Sequence, residues 1–200
     1  RGHDPLDLAT PEAFARDSEL VWEFYNWRRE LISGVKPNKG HEALVKLEAE
    51  VDDYLLVTQN VDGLHKLAGS SRMLELHGSL WKISCINCGD AQESFQPVNL
   101  GLTPTCQMCG GLLRPGVVWF GESLDANILG LSIQAVQSCD LMLVVGTSAV
   151  VQPAASLALL AKQAGAKVAE INLEPTPNSE HMDFQMFGKA GEILPALISG

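Results

Sequence analysis

No apolar stretch in these 200 residues reaches the ~20 consecutive positions that a membrane-spanning helix needs. The opening Arg1-Gly2-His3-Asp4-Pro5 holds no hydrophobic signal core either. The expectation is a soluble chain with no membrane partner. Positive charge is also scarce, with 14 Lys and Arg against 24 Asp and Glu and a formal net charge of −10. That excess repels phosphate backbones and argues against nucleic acid as a general partner, while it attracts basic proteins or peptides. Five cysteines are an odd number, and four of them fall into two tight pairs, which suggests metal binding in a reducing compartment rather than a secreted disulfide scaffold. Internal repeats and low-complexity tracts are absent. What remains, at 46% hydrophobic and 19% charged, is one globular domain with a small appended module, since a chain of this length buries roughly 70% of its unfolded surface.

The first 50 residues read as helical. Thr10 before Pro11 can cap a helix through Phe14, and Ser18 can cap a second one carrying Leu20, Val21, Phe24, Trp27, Arg28 and Leu31. Gly34 and Pro37 interrupt, and Asn38 is placed to cap a third helix with Ala43, Leu44 and Leu47 inward. The pattern then changes to short apolar runs of strand length at Tyr54–Thr58, Leu141–Val145 and Lys167–Ile171, the last two separated by an alanine-rich helix opened by Pro153 and stopped at Gly165. Such alternation predicts an α/β fold with a parallel sheet, whose ligands lie at the carboxyl ends of the strands.

The sharpest chemical signal is Cys85-x-x-Cys88 and, after seventeen residues, Cys106-x-x-Cys109. Each pair puts two thiolates on one tight turn, and four thiolates fill a tetrahedral zinc shell, leaving no place for water or substrate. The expected zinc is structural; two disulfides or buried free thiols are the alternatives. Cys139, before a strand, reads as a buried apolar residue.

Polar groups gather at strand ends. Gln59-Asn60-Val61-Asp62 follows one strand, Gly146-Thr147-Ser148 a second and Asn172-Leu173-Glu174 a third. Amides and carboxylates there suit ribose hydroxyls and a carboxamide, and Gly146 allows close approach to a phosphate. The alternating Leu74-Glu75-Leu76-His77 ends on an imidazole that can serve as a base near neutral pH or be a satisfied structural residue. His3, His41 and His181 read as solvated positions, and His65 as structural.

Taken in order, Gln59-Asn60-Val61-Asp62, Leu76-His77-Gly78, the paired cysteines, Gly146-Thr147-Ser148 with Pro153, and Asn172 with Glu174 resemble the sirtuins over essentially the whole chain. Tyr25-x-x-Arg28 and the run from Arg114 to Glu122 resemble the class III, sirtuin-5-like deacylases. The resemblance implies a Rossmann-like, NAD-binding lobe of residues 51–78 and 117–200, and a small helical and zinc-ribbon lobe of residues 1–50 and 79–116. It implies acylated lysine side chains of proteins as substrate, released as free lysine with nicotinamide and O-acyl-ADP-ribose. His77 takes the role of general base, Gln59, Asn60, Val61 and Asp62 the nicotinamide-ribose side, and Gly146, Thr147, Ser148, Asn172, Leu173 and Glu174 the adenosine side with Ala190. Tyr25 and Arg28 would bind the acyl group, with Phe24, Trp27 and Leu31 as an apolar wall; without the resemblance, Arg28 would pair with Glu23 or Glu30. The acyl groups implied are succinyl, malonyl and glutaryl. The resemblance further implies a mitochondrial location. The family's Gly-rich cofactor loop and flexible Phe-Arg segment have no counterpart in Arg1 to Thr10, which keeps open a non-catalytic, zinc-stabilised module that binds acyl-peptide or ADP-ribose. Gly116 stands where those relatives carry a histidine.

Overall fold

The computed structural model describes residues 5–95 and 103–198, so His3 lies outside the described residues. The chain forms two compact units, one of residues 1–36, 58–63 and 77–124, the other of residues 37–57, 64–76 and 125–200. Among the described residues no helix is long and apolar enough to cross a membrane.

In the first unit, α1 (Pro5–Leu8) leads to α2 (Pro11–Arg16), where Thr10 Oγ1 accepts the Ala13 N–H at 3.1 Å as expected of the cap. α3 (Ser18–Ser33) is capped one residue earlier than the sequence suggests: Asp17 Oδ1 accepts the Leu20 N–H at 2.9 Å, while the Ser18 hydroxyl contacts that of Thr103. A carboxylate is the better cap, because it also meets the positive end of the helix dipole.

Helix α3 packs on a three-stranded antiparallel sheet in which β3 (Gly78–Cys85) lies between β4 (Ala91–Glu93) and β5 (Leu113–Val117). Its buried face is Val21, Trp22, Tyr25 and Arg29, at helical spacing. This corrects the apolar wall read from the sequence. Trp27 and Leu31 are 56% and 55% exposed, and Phe24 is half-buried at the edge of the core. The choice of face follows from what the sheet offers. Trp22 Nε1 donates to Leu113 O at 2.8 Å, and Arg29 donates from Nε to Leu80 O at 2.6 Å and from Nη2 to Lys82 O at 3.3 Å. Arg29 is fully enclosed, and burial pulls its pKa down to about 10, so it stays charged at neutral pH. The side chains between helix and sheet, among them Phe14, Val21, Leu80, Ile83, Val117 and Trp119, form one apolar core.

Strands β3 and β5 approach closely where their register shifts, and two glycines permit it. Gly78 has φ +73°, and a Cβ there would lie 2.2 Å from Gly116 O. A Cβ on Gly116 would lie 2.4 Å from Lys82 Cβ. A side chain at 116 therefore has no room against Lys82.

In the second unit, α4 (Lys39–Glu50) is capped by Asn38, and His41 completes a capping box, so this histidine is a helix-start residue and not a free solvated one. Ala43 and Leu44 of α4 share a core with Ile171 and with Leu194 of α8 (Ala190–Ile198), which places α4 in this unit instead of with the N-terminal helices. β1 (Leu56–Thr58) pairs with β2 (Met73–Glu75), and α5 (Leu64–Ala68) lies between them in sequence. After α6 (Ala126–Ser138) come β6 (Leu141–Val145), α7 (Leu157–Gln163), β7 (Lys167–Asn172) and β8 (Phe184–Phe187), and the three strands form a parallel sheet in the order β6-β7-β8. This is the expected Rossmann-like α/β arrangement. β8 escapes a periodicity reading because Phe184 and Phe187 are both exposed on a four-residue strand.

Replacing Gly78 by Ala adds a Cβ against backbone at a positive φ. We expect a loss of about 2–4 kcal/mol, read as a lowered thermal and urea midpoint. An unchanged midpoint would show that the β3–β5 approach does not need glycine.

Candidate functional site

The four cysteines converge. Their sulfur atoms all lie within 4.8 Å of one another, with Cys85 and Cys109 Sγ at 3.5 Å and Cys88 and Cys106 Sγ at 3.7 Å. A tetrahedral shell with Zn–S bonds of ~2.3 Å has sulfur edges of ~3.8 Å, so the donor set fits one zinc ion with no further ligand. Each pair sits on the same kind of turn, closed by the Gly89 N–H to Cys85 O and the Gly110 N–H to Cys106 O, and both glycines have positive φ. The backbone N–H of Cys88, aided by that of Asn87 and opposed by burial, pulls the Cys85 thiol down to about 6, toward the thiolate that binds metal. Cys139 is half-buried outside this cluster, near the Val136 carbonyl, and burial raises its pKa.

At the start of β3 stands His77. Its Nδ1 lies 3.3 Å from Gln59 O, a carbonyl that can only accept, so in the neutral ring this contact puts the hydrogen on Nδ1 and the lone pair on Nε2. The segment 58–63 is tied to β3 at three points. Leu80 N–H donates to Val61 O at 2.8 Å, Trp81 Nε1 donates to Asp62 O at 2.6 Å, and a Cβ on Gly63, at φ +77°, would strike the Trp81 ring. Thr58 Oγ1 accepts the Asn60 N–H at 3.1 Å and turns the chain. Gln59, Asn60, Val61, Asp62 and His77 are thus gathered in the first unit, with Asn60 exposed.

The other strand-end groups meet in the second unit. Asn172 Nδ2 donates to Thr147 O at 2.8 Å, joining the ends of β6 and β7. Gly146 has φ +60° with open space beside its Cα, and Ala149 also has positive φ; the turn after β6 is held by the Gly146 N–H to Ile171 O at 2.9 Å and the Ala149 N–H to Thr147 Oγ1 at 3.2 Å. Ser148, Leu173 and Glu174 are exposed next to it, and Ala190 opens α8. Amide, hydroxyl and carboxylate groups on such a turn can hold a nucleotide. The loop after β7 is braced from below: the fully buried Glu170 accepts hydrogen bonds from the hydroxyls of Thr176, at 2.6 Å, and Ser179.

Tyr25 and Arg28 are neighbours. The Arg28 guanidinium carbon lies 5.6 Å from the Phe24 ring centre and 5.8 Å from that of Tyr25. Among the described residues it pairs with no carboxylate, neither Glu23 nor Glu30. The Tyr25 hydroxyl, fully buried, accepts a hydrogen bond from Trp119 Nε1 at 2.9 Å, and burial raises its pKa. The sequence reading named the run from Arg114 to Glu122 but not the contact of Trp119 with Tyr25 or the ion pair of Arg114 with Glu122, because no short spacing joins the run to Tyr25.

A model of the Sir2 family matches residues 1–153. An NAD-dependent protein deacylase of Aquifex aeolicus is 48% identical over 186 residues, which is 93% of this chain and 78% of that protein. The chain belongs to the Sir2 family. A Leptospira interrogans NAD-dependent protein deacylase is 50% identical over 193 residues, with 96% of this chain and 78% of that protein covered. Among solved structures, a Sir2 homologue in complex with NAD superimposes with a TM-score of 0.95 at 45% identity, over 98% of this chain and 77% of the other. A Sir2 protein bound to an acetylated peptide does so with a TM-score of 0.90 at 29% identity, over 96% and 82%. Within this family member the cysteine cluster offers four thiolates to one ion and no open position, which is compatible with a structural zinc.

Metal analysis should find one zinc per chain. Structural zinc contributes on the order of 10 kcal/mol of apparent binding energy, so chelation should lower the melting temperature sharply. A metal-free chain with the same melting curve would refute a structural zinc.

Proposed function

We propose that this chain is an NAD-dependent protein-lysine deacylase that prefers the acidic acyl groups succinyl, malonyl and glutaryl to acetyl. The deacylase part rests on the family and on relatives named for that activity. NAD, when bound, supplies an electrophilic ribose carbon through loss of nicotinamide. The chain's own groups do the rest. Asn60, Asp62 and Gln59 orient the nicotinamide ribose, and Gly146, Thr147, Ser148, Asn172, Leu173, Glu174 and Ala190 take the adenosine side. His77, its Nδ1–H committed to Gln59 O, takes a ribose hydroxyl proton at Nε2.

The acyl preference rests on one observation: Arg28 and Tyr25 are adjacent donors with no acceptor among the described residues. A guanidinium grips a carboxylate with two charge-assisted hydrogen bonds, and the phenol adds a third. Arg28 rests against the Phe24 and Tyr25 rings and is half-buried, so its guanidinium stays within reach of a ligand beside Tyr25. An acetyl group ends in a methyl where the acidic acyl groups carry a carboxylate, and so leaves the guanidinium unpaired, worth a roughly 10²- to 10³-fold preference in kcat/KM.

In the full-length protein, His77→Ala should cut turnover roughly 10²- to 10⁴-fold with little change in NAD affinity. Normal turnover would remove the imidazole from the mechanism. Arg28→Met should lower the ratio of desuccinylation to deacetylation by about 10²-fold, and Tyr25→Phe by less. If wild type removes acetyl as fast as succinyl, or Arg28→Met lowers both equally, the carboxylate clamp is wrong.

A further inference from the structure

Tyr25 contributes a single hydroxyl, and its direction is not left to chance. An indole N–H only donates, so in the 2.9 Å contact between Trp119 Nε1 and Tyr25 Oη the phenol oxygen must be the acceptor. The one phenolic proton is then turned away from Trp119. No acceptor for it exists among the described residues. A phenol free to rotate would offer a substrate either its proton or its lone pair. We infer that Trp119 is a positioning residue for acyl selection: by occupying the acceptor side of Tyr25 Oη it reserves the phenolic proton for a carboxylate held by Arg28. This deepens the acidic-acyl reading and rests on it.

The surroundings of Trp119 serve that role. The residue is 3% exposed, and its ring cannot turn freely. The Arg114 guanidinium carbon sits 3.6 Å from the centre of its ring, and Phe14 packs at 5.3 Å between centroids. Its backbone N–H donates to Glu122 Oε2 at 2.8 Å. Glu122 in turn accepts two hydrogen bonds from Arg114, at 2.5 and 2.8 Å, and Arg114 also donates to Val117 O. Burial acts to raise the Glu122 pKa, but Arg114 and the Trp119 N–H outweigh it, so the carboxylate stays charged and the guanidinium stays stacked. Ring face, ring edge and backbone of Trp119 are therefore each fixed by a separate group, and the indole N–H has one direction in which to point. A tryptophan needed only to fill the core would require none of this. A phenylalanine would fill most of the same volume and could not instruct the phenol.

The test measures affinities of one lysine peptide carrying succinyl or acetyl, by fluorescence anisotropy and in kcat/KM, for wild type, Tyr25→Phe, Trp119→Phe and the Tyr25→Phe/Trp119→Phe pair. Because Trp119→Phe leaves a small cavity, a second protein carries benzothienylalanine at 119, which keeps the bicyclic ring and its stacking and replaces N–H by sulfur. We expect both changes at 119 to lower the succinyl-to-acetyl ratio about tenfold, through KM more than kcat, with no further fall in the double variant, as for two groups acting through one hydroxyl. A ratio unchanged by the benzothienyl substitution, in a protein where Tyr25→Phe does lower it, overturns the role of Trp119 and leaves the clamp standing. A full additive loss in the double variant also overturns it. A wild type with no succinyl preference, by contrast, overturns the clamp itself.

Discussion

The backbone of strand β3 is the constraint on which the first unit depends. Over about 25 Å of extended chain it has Cys85 at its carboxyl end and follows directly on His77. Its carbonyls at Leu80 and Lys82 receive the buried Arg29, its Leu80 N–H and Trp81 indole hold the segment 58–63, and its edges pair with β4 and β5. Buried backbone groups must find partners, and here those outside the sheet are the Arg29 guanidinium and the segment 58–63. A guanidinium with no carboxylate near it is an unusual choice for a core. It is tolerated because β3 supplies carbonyl oxygens and the Trp22 ring lies 5.5 Å from its centre. Once Arg29 faces the sheet, Tyr25, one turn earlier, is buried with it, and Arg28 is left at the edge.

That edge illustrates how a site can be defined by what its donors lack. Most buried polar groups in a folded chain are paired, and the half-buried Arg28 guanidinium and the Tyr25 phenolic proton have no acceptor among the described residues; it is on this that the proposed acidic-acyl reading rests. The arginine next to it, Arg29, has the same composition and the opposite role. The direction each takes from the helix separates the enclosed Arg29 from the half-buried Arg28.

The second unit solves a different problem, that of holding exposed turns rigid. Parallel strands end in loops with unsatisfied backbone groups. Here Asn172 bridges to Thr147 O, Glu170 braces the following loop through two hydroxyls, and Asp183 fastens the start of β7 by accepting the Val168 N–H and pairing with Lys162 and Lys167. The Asp183 carboxyl is held well below the usual carboxylate range, first by the Val168 N–H and then by the two lysines. Such bracing leaves the outward groups of Gly146, Ser148 and Glu174 exposed but not loose.

What the sequence by itself determined is what lies in short spacing. Two Cys-x-x-Cys pairs each fit a single turn, Thr10 and Asn38 sit directly before their helices, and apolar runs alternate with helices, so the cysteine cluster, two caps and a parallel sheet were legible without coordinates. The face of α3 was not legible, because Val21, Trp22 and Tyr25 compete with Phe24, Trp27 and Leu31 at the same period, and apolar spacing alone cannot rank two apolar faces. Only the tertiary structure decided it, by placing the carbonyls of β3 and β5 opposite Arg29 and Trp22. It likewise decided the neighbour of Tyr25. Trp119 is 94 positions away, and no local pattern reports a contact that exists only because β5 returns beside the helix.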